Sequence, residues 1–275
     1  MHKVKHFRTI WLSDFHLGSK DAKIDFLLDF LRCNESETLY LVGDIFDGWA
    51  MSRAWHWTQS HNDVIQKILR KARKGTRVVY LPGNHDEFAR DYLGLRLGRI
   101  DVMNQVIHTT ADGRKLLVLH GDQFDGFIQH ARWISVLGSK IYTILLRLNG
   151  MVNRTRRLFG MPYWSLSAYL KHTTKRAVQA IADYENAMIE IAKEKKADGV
   201  VCGHIHHAEI REIKSILYAN SGDWIESCTA VVEHFDGRIE LINWVTFDHQ
   251  PQLTRWKTNG IQSDMSSDLV TEESI

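Results

Sequence analysis

The sequence predicts an α/β fold, two facing β-sheets flanked by helices with a helical insertion between two parts of the sheet region. Three observations predict it. Apolar strand-like runs alternate with helical periodicity over residues 9–202, polar clusters stand at the ends of those runs, and the pattern changes to short strands after residue 206. Residues 9–13 read as a first strand, 23–32 as a helix and 38–42 as a second strand. A second helix is expected over 61–74, because Val64, Ile65, Ile68 and Leu69 share one face and Gly75 supplies the stop. Strands follow at 77–81, 116–119 and 200–202, then at 209–213, 216–220, 229–235 and 239–245. Asp236-Gly237 between the last two is a hairpin signal.

Composition bounds the functional classes. The chain has 275 residues, 44% of them hydrophobic, and a formal net charge of +2. That suits a globular protein with one sizeable core and excludes a fibrous or disordered chain. Cys33, Cys202 and Cys228 are odd in number and without motif spacing, so no disulfide framework is expected. The basic N-terminus runs into the first strand without a signal-peptide pattern, so a cytoplasmic location is expected.

Five motifs carry the chemistry: Asp14-Phe15-His16, Gly43-Asp44-Ile45-Phe46-Asp47, Gly83-Asn84-His85-Asp86, His120-Gly121-Asp122 and Gly203-His204-Ile205-His206. Each stands at the end of an apolar run, where open α/β sheets place their sites. Singly, several have plain readings, since Asp44 or Asp47 also suits a helix cap. Jointly they offer oxygens from Asp14, Asp44 and Asn84 and imidazole nitrogens from His16, His120, His204 and His206. Seven N/O donors without a thiolate suit two divalent ions, Mn²⁺ first, with Fe²⁺ or Zn²⁺ as alternatives, and argue against Ca²⁺. Asp44, central in the series, is expected to bridge them. Two such ions clamp a phosphoryl group and supply hydroxide at neutral pH.

In kind and in chain order the five motifs resemble the calcineurin-like metallophosphoesterase superfamily. The resemblance implies a four-layer sandwich, with Asp14, His16, Asp44 and His206 around one metal and Asp44, Asn84, His120 and His204 around the other. By the same resemblance His85 is the non-ligand catalytic histidine, with Asp86 orienting it, and Asp47 and Asp122 look like residues that support the ligands.

The second feature is the stretch between the fourth and fifth motifs. Residues 127–182 contain nine Lys or Arg and no Asp or Glu, where the chain's average would put about seven acids. The same window is rich in large apolar groups. Its length demands structure of its own, and a further helix is expected over 165–195. The expected division is therefore a core of 1–124 and 183–250, a helical cap of 125–182 and a mobile tail of 251–275. A basic, greasy cap beside a phosphate-cleaving site suits an amphiphilic phosphate ester at a membrane face; nucleic acid is the second choice. Lys171, Lys175 and Arg176 are the candidate contacts to a diphosphate or headgroup. Nothing in the chain specifies a protein partner.

A helical insertion at this place, together with Trp-Leu-Ser-Asp-Phe-His-Leu-Gly at 11–18, is similar to the UDP-2,3-diacylglucosamine diphosphatases of lipid A synthesis. The resemblance implies water attack on the α-phosphorus of a nucleotide-sugar lipid at the inner membrane, releasing UMP and 2,3-diacylglucosamine 1-phosphate. One position departs: the best-characterised branch reads Gly-Asn-Arg-Asp where this chain has His85, and Arg and His present different donors to a leaving group. The alternatives are a soluble phosphodiesterase, nucleotidase or nuclease and, less favoured, a non-catalytic scaffold. Trp49, Trp55 and Trp57 are read as packing residues, and the remaining histidines, His61 and His108 among them, as surface or satisfied structural groups.

Overall fold

The computed structural model describes residues 4–124 and 175–245. In the larger sheet β1 (Lys5–Leu12), β2 (Asn34–Val42) and β3 (Arg77–Leu81) lie side by side and parallel. Parallel neighbours need crossovers. α1 (Ile24–Cys33) makes the first, and α2 (Gly48–Arg53) with α3 (Gln59–Arg73) the second. Two short strands, β4 (Arg96–Leu97) and β5 (Ile100–Val102), extend the β3 edge, after a 3₁₀ turn at Glu87–Tyr92.

The smaller sheet holds β6 (Gln105–Thr109), β7 (Lys115–Leu119), β8 (Gly199–Cys202), β9 (Glu209–Ile213) and β10 (Ile216–Asn220), in the order β6-β7-β8-β10-β9. α4 (Lys175–Glu194) precedes β8 and covers this sheet. The chain then returns to the larger sheet. β11 (Thr229–Glu233) pairs antiparallel with β1, and β12 (Ile239–Asn243) with β11.

Period-two alternation explains the layering. On β1, Ile10 and Leu12 face the helices α1 and α3, whereas Trp11 faces the second sheet. On β7, Leu116 and Val118 enter that inter-sheet layer while Leu117 and Leu119 meet Tyr184, Met188 and Ile189 of α4. Both faces of the central strands are apolar because both are covered. Four layers result, helix, sheet, sheet, helix, as the sequence predicts.

The structure departs from the sequence reading in detail. Strands β4 to β6 and helix α2 were not expected; β4 is exposed at both residues and α2 buries none, so neither carries an apolar period. The four late strands, read as one series, are split between the two sheets. The cap falls outside the described residues up to 174, and the tail 251–275 entirely. No helix among the described residues is long and apolar enough to cross a membrane. The three cysteines are free.

Candidate metal centre

The motifs meet because their strands run the same way. Asp14, Asp44 and Asn84 follow the C-terminal ends of β1, β2 and β3, and His120, His204 and His206 follow those of β7 and β8. Backbone hydrogen bonds lace the loops together: Asp14 N–H to Gly43 O at 3.0 Å, His16 N–H to Asp44 O at 2.9 Å and Gly203 N–H to His120 O at 3.2 Å. Five of these residues are bent into the left-handed region, with φ of 53° at Asp14, 49° at His16, 53° at Asp44, 70° at His204 and 54° at His206. That conformation costs a non-glycine residue on the order of 1 kcal/mol. It turns each side chain back over its strand end, so strain is concentrated where the polar groups converge.

Two groups of side chains form. In one, His206 Nε2 lies 3.1 Å from Asp14 Oδ1, and His16 Nε2 lies 3.3 Å from His206 Nε2 and 3.9 Å from Asp14 Oδ1. The other joins Asp44, His120 and His204. Asp44 lies between them, its Oδ2 3.8 Å from His16 Nε2 and its Oδ1 3.5 Å from His120 Nε2. Ligands about 2 Å from a common ion stand roughly 3 Å apart, so these spacings fit two ions with Asp44 between them.

Unmet valences give an independent test of fit. Asn84 Oδ1 is buried without a hydrogen-bond partner, and the close polar neighbours of Asp14 Oδ1 and His120 Nε2 are His206 and Asp44, themselves candidate ligands. An unpartnered buried atom costs about 1 to 3 kcal/mol. The other atoms of His120 and Asp14 are engaged: His120 Nδ1 lies 2.8 Å from Val42 O, and Asp14 Oδ2 accepts from His204 N–H at 3.1 Å. Donation from Nδ1 leaves the Nε2 lone pair of His120 as the ligand atom. The donor set therefore fits divalent cations. Gly83 is required by the same crowding, since a Cβ there would stand 2.6 Å from His120 Nε2 and closer still to Asp44 Oδ1.

Electrostatics agree. Burial alone would raise the Asp44 carboxyl, but the charges of His120 and His16 and the His120 hydrogen bond hold it far below the carboxylate range. Burial likewise opposes ionisation of Asp14, and His206 overrides it. His120 shows the complement: burial disfavours its cation, yet Asp44 and Asp14 raise it to about 10.

The supporting residues differ from the sequence expectation at one point. His85 Nδ1 lies 3.0 Å from Asp47 Oδ1, so its orienting partner is Asp47 and not Asp86. Asp47 also caps α2 through Ala50 N–H at 2.8 Å and approaches His16 Nδ1 at 3.5 Å. Asp86 points the other way. Its carboxylate accepts from the N–H groups of Asp44, Ile45 and Gly83 at 3.2, 2.8 and 2.6 Å and from Tyr80 OH at 2.5 Å, fixing the loop that carries Asp44. Asp122 receives Arg90 Nη2 at 2.5 Å and ties the third and fourth motifs together.

Two further residues shape the site without a sequence signal. Tyr184 on α4 donates toward the carbonyls of His120 and Gly203, each at 3.2 Å, and joins the two histidine loops. Trp49, read as a packing residue, has 50% of its surface exposed and its ring centre is 4.1 Å from that of His85. Lys171 lies outside the described residues, and Lys175 and Arg176 fall in the first turn of α4, where only the backbone is described.

Comparison with known proteins follows the same line. UDP-2,3-diacylglucosamine hydrolase of Azotobacter vinelandii is 30% identical over 117 residues, 42% of this chain and 47% of that protein. The enzyme of the same name from Psychromonas ingrahamii is 23% identical over 246 residues, covering 86% of this chain and 96% of the relative. Among solved structures, YfcE, a phosphoesterase from E. coli, superposes with a TM-score of 0.40 at 15% identity, over 86% of this chain and 98% of that one. The calcineurin-like phosphoesterase model matches residues 7–208, a span that takes in all five motifs, and such proteins are metal-dependent phosphoester hydrolases. The chain belongs to the calcineurin-like phosphoesterase family.

Proposed function

We propose that this protein hydrolyses UDP-2,3-diacylglucosamine to UMP and 2,3-diacylglucosamine 1-phosphate, using two divalent ions, Mn²⁺ first, at the cytoplasmic face of the inner membrane. The observation that carries the reaction type is the pair of side-chain groups, Asp14-His16-His206 and Asp44-His120-His204, with Asp44 between them and a buried, unpartnered oxygen on Asn84. Asp14, His16, Asp44 and His206 hold one ion, and Asp44, Asn84, His120 and His204 the other. When bound, such ions supply Lewis acidity and a water of lowered pKa. His85, held at Nδ1 by Asp47, presents its other nitrogen to the phosphoryl group and protonates the departing oxygen. Trp49 covers one face of that imidazole and restricts its rotation.

Substrate choice is supported by relatives named as UDP-2,3-diacylglucosamine hydrolases and by the acid-free, basic, apolar stretch 127–182. Lys171, Lys175 and Arg176 are proposed to contact the diphosphate. A soluble phosphodiesterase is the second reading, and the observation favouring it is His85, which stands where the lipid A branch has arginine. The deciding experiment is a Mn²⁺-dependent assay of purified protein in detergent. Release of UMP from UDP-2,3-diacylglucosamine faster than hydrolysis of bis-p-nitrophenyl phosphate is expected. Turnover of the simple diester with no UMP from the lipid would overturn the substrate and keep the dimetal site.

A further inference from the structure

One peptide unit stands between the two ligand groups. Its carbonyl is that of Gly203 and its N–H that of His204, directly after β8. The N–H donates to Asp14 Oδ2 at 3.1 Å, and Oδ1 of the same carboxylate faces His206 Nε2 at 3.1 Å. His204 itself belongs with Asp44 and His120. A peptide turns as a rigid plate. Rotation of this one would redirect the hydrogen bond to Asp14 and change the φ of His204, which is held at 70°, in a single movement. The aim of one ligand in each group is therefore tied to the same plane.

The orientation of that plane is decided at its carbonyl end. Asn220, the last residue of β10 and the register partner of Cys202, donates from Nδ2 to Gly203 O at 2.8 Å. Its Oδ1 accepts Gly222 N–H at 2.9 Å, which fixes the amide with its nitrogen toward Gly203. Tyr184 reaches the same carbonyl from α4 and shares its one proton between Gly203 O and His120 O, each at 3.2 Å. Gly203 and both side chains are buried, so water does not take their place when a bond is lost. Gly121 makes room for the phenol: its φ is 113°, and a Cβ there would fall on the Tyr184 hydroxyl.

We propose that Tyr184 and Asn220 are positioning residues of the metal centre, which fix the Gly203–His204 peptide and through it aim Asp14 and His204 at their separate ions. Affinity for the ions then depends on two side chains that are not ligands and that lie on different elements, α4 and β10. The proposal rests on the two-ion reading of the donor set and on no particular substrate.

The test titrates Mn²⁺ into the metal-free full chain, follows the free ion by its electron paramagnetic resonance signal, and measures urea midpoints on the same preparations. The wild type should take up two ions. Tyr184→Phe removes one oxygen and keeps the ring, and should bind at least one ion about tenfold more weakly, the effect expected of a lost supporting hydrogen bond. Tyr40→Phe is the comparison, because Tyr40 is 2% exposed but its hydroxyl serves His108 at 3.2 Å and no ligand loop. That variant should lower the urea midpoint and keep the wild-type affinity. Asn220→Ser should weaken Mn²⁺ binding in the same direction as Tyr184→Phe, and it decides the question if Tyr184→Phe does not fold. Wild-type Mn²⁺ affinity in the folded variants, with only the urea midpoint lowered, would overturn the proposal and leave the two-ion centre as described. A wild type that takes up no Mn²⁺ would overturn the two-ion reading, and the proposal with it.

Discussion

Two clusters of buried polar groups share the region between the sheets, and they obey opposite rules. Lower on the strands, Glu233 Oε1 accepts from Arg8 Nη1 at 2.6 Å and Ala111 N–H at 2.7 Å, while Oε2 accepts from Thr9 Oγ1 at 2.7 Å and His108 Nε2 at 2.9 Å. Tyr40 OH completes the set on His108 Nδ1 at 3.2 Å, its proton retained because burial raises the phenol to about 12. That cluster closes on itself and fastens β6 of one sheet to β1, β2 and β11 of the other. At the strand ends the metal centre instead turns its carboxylates and imidazoles on one another, leaves the buried Asn84 oxygen without a partner and bends five backbones to do so. Burial and polarity are common to both. Open valence, converging from several chain segments, is what separates a binding site from a structural network.

The sharpest way to break this comparison is Asp44→Asn. Loss of the shared carboxylate should reduce Mn²⁺-dependent hydrolysis of bis-p-nitrophenyl phosphate by at least about 10³-fold. The metal-free variant should still fold, with a lower urea midpoint, because the carboxylate that His120 and His16 hold ionised becomes a neutral amide. Steady-state kinetics and urea unfolding check both halves, and an unfolded variant would contradict the division of labour.

Asp47→Asn should act more moderately, lowering kcat about 10²-fold by freeing His85, with KM near the wild-type value. A matching Asp86→Asn should act through stability instead, since Asp86 touches the loop and not the imidazole. Equal kinetic phenotypes in the two variants would return the orienting role to Asp86.

Glu233→Gln tests the closed cluster. It should cost about 3 kcal/mol in urea unfolding, by leaving Arg8 and His108 with a neutral partner, and change turnover less than about twofold. The smallest effect is its pH dependence. Burial would raise Glu233, but His108, Thr9 and Ala111 N–H hold it at about 2 against an ordinary value of 4.5. A depressed carboxyl stabilises the fold fully above 4.5 and loses that contribution as the pH falls toward 2. The difference in urea midpoint between wild type and Glu233→Gln should therefore be constant above about pH 5 and close below it. Carboxylates of the metal centre titrate in both proteins and cancel in the difference.

These particulars show what a single sequence can reveal. The central strands and α1 and α3 were legible because their burial is periodic, and the seven candidate ligands because each stands directly after such a strand. β4 was not, having two exposed residues and no period. Nor was the Glu233 cluster, whose partners Arg8 and Glu233 are 225 positions apart and sit on strands that meet only through sheet order. His85 does stand beside the candidate ligands, but its neighbour Asp86 looks like the orienting acid in the sequence because it is adjacent to it. The turn after Gly83 points Asp86 at the backbone of residues 44 to 46 and leaves the imidazole to Asp47.

By itself the sequence determined the layered α/β class, the donor set and hence the reaction type, since period-two and helical burial and the ligand chemistry of Asp, Asn and His are local properties. Only the tertiary structure decided which carboxylate stands between the two groups and which acid holds His85. Those outcomes depend on distances between atoms far apart in the chain, and strand order and backbone bends set them.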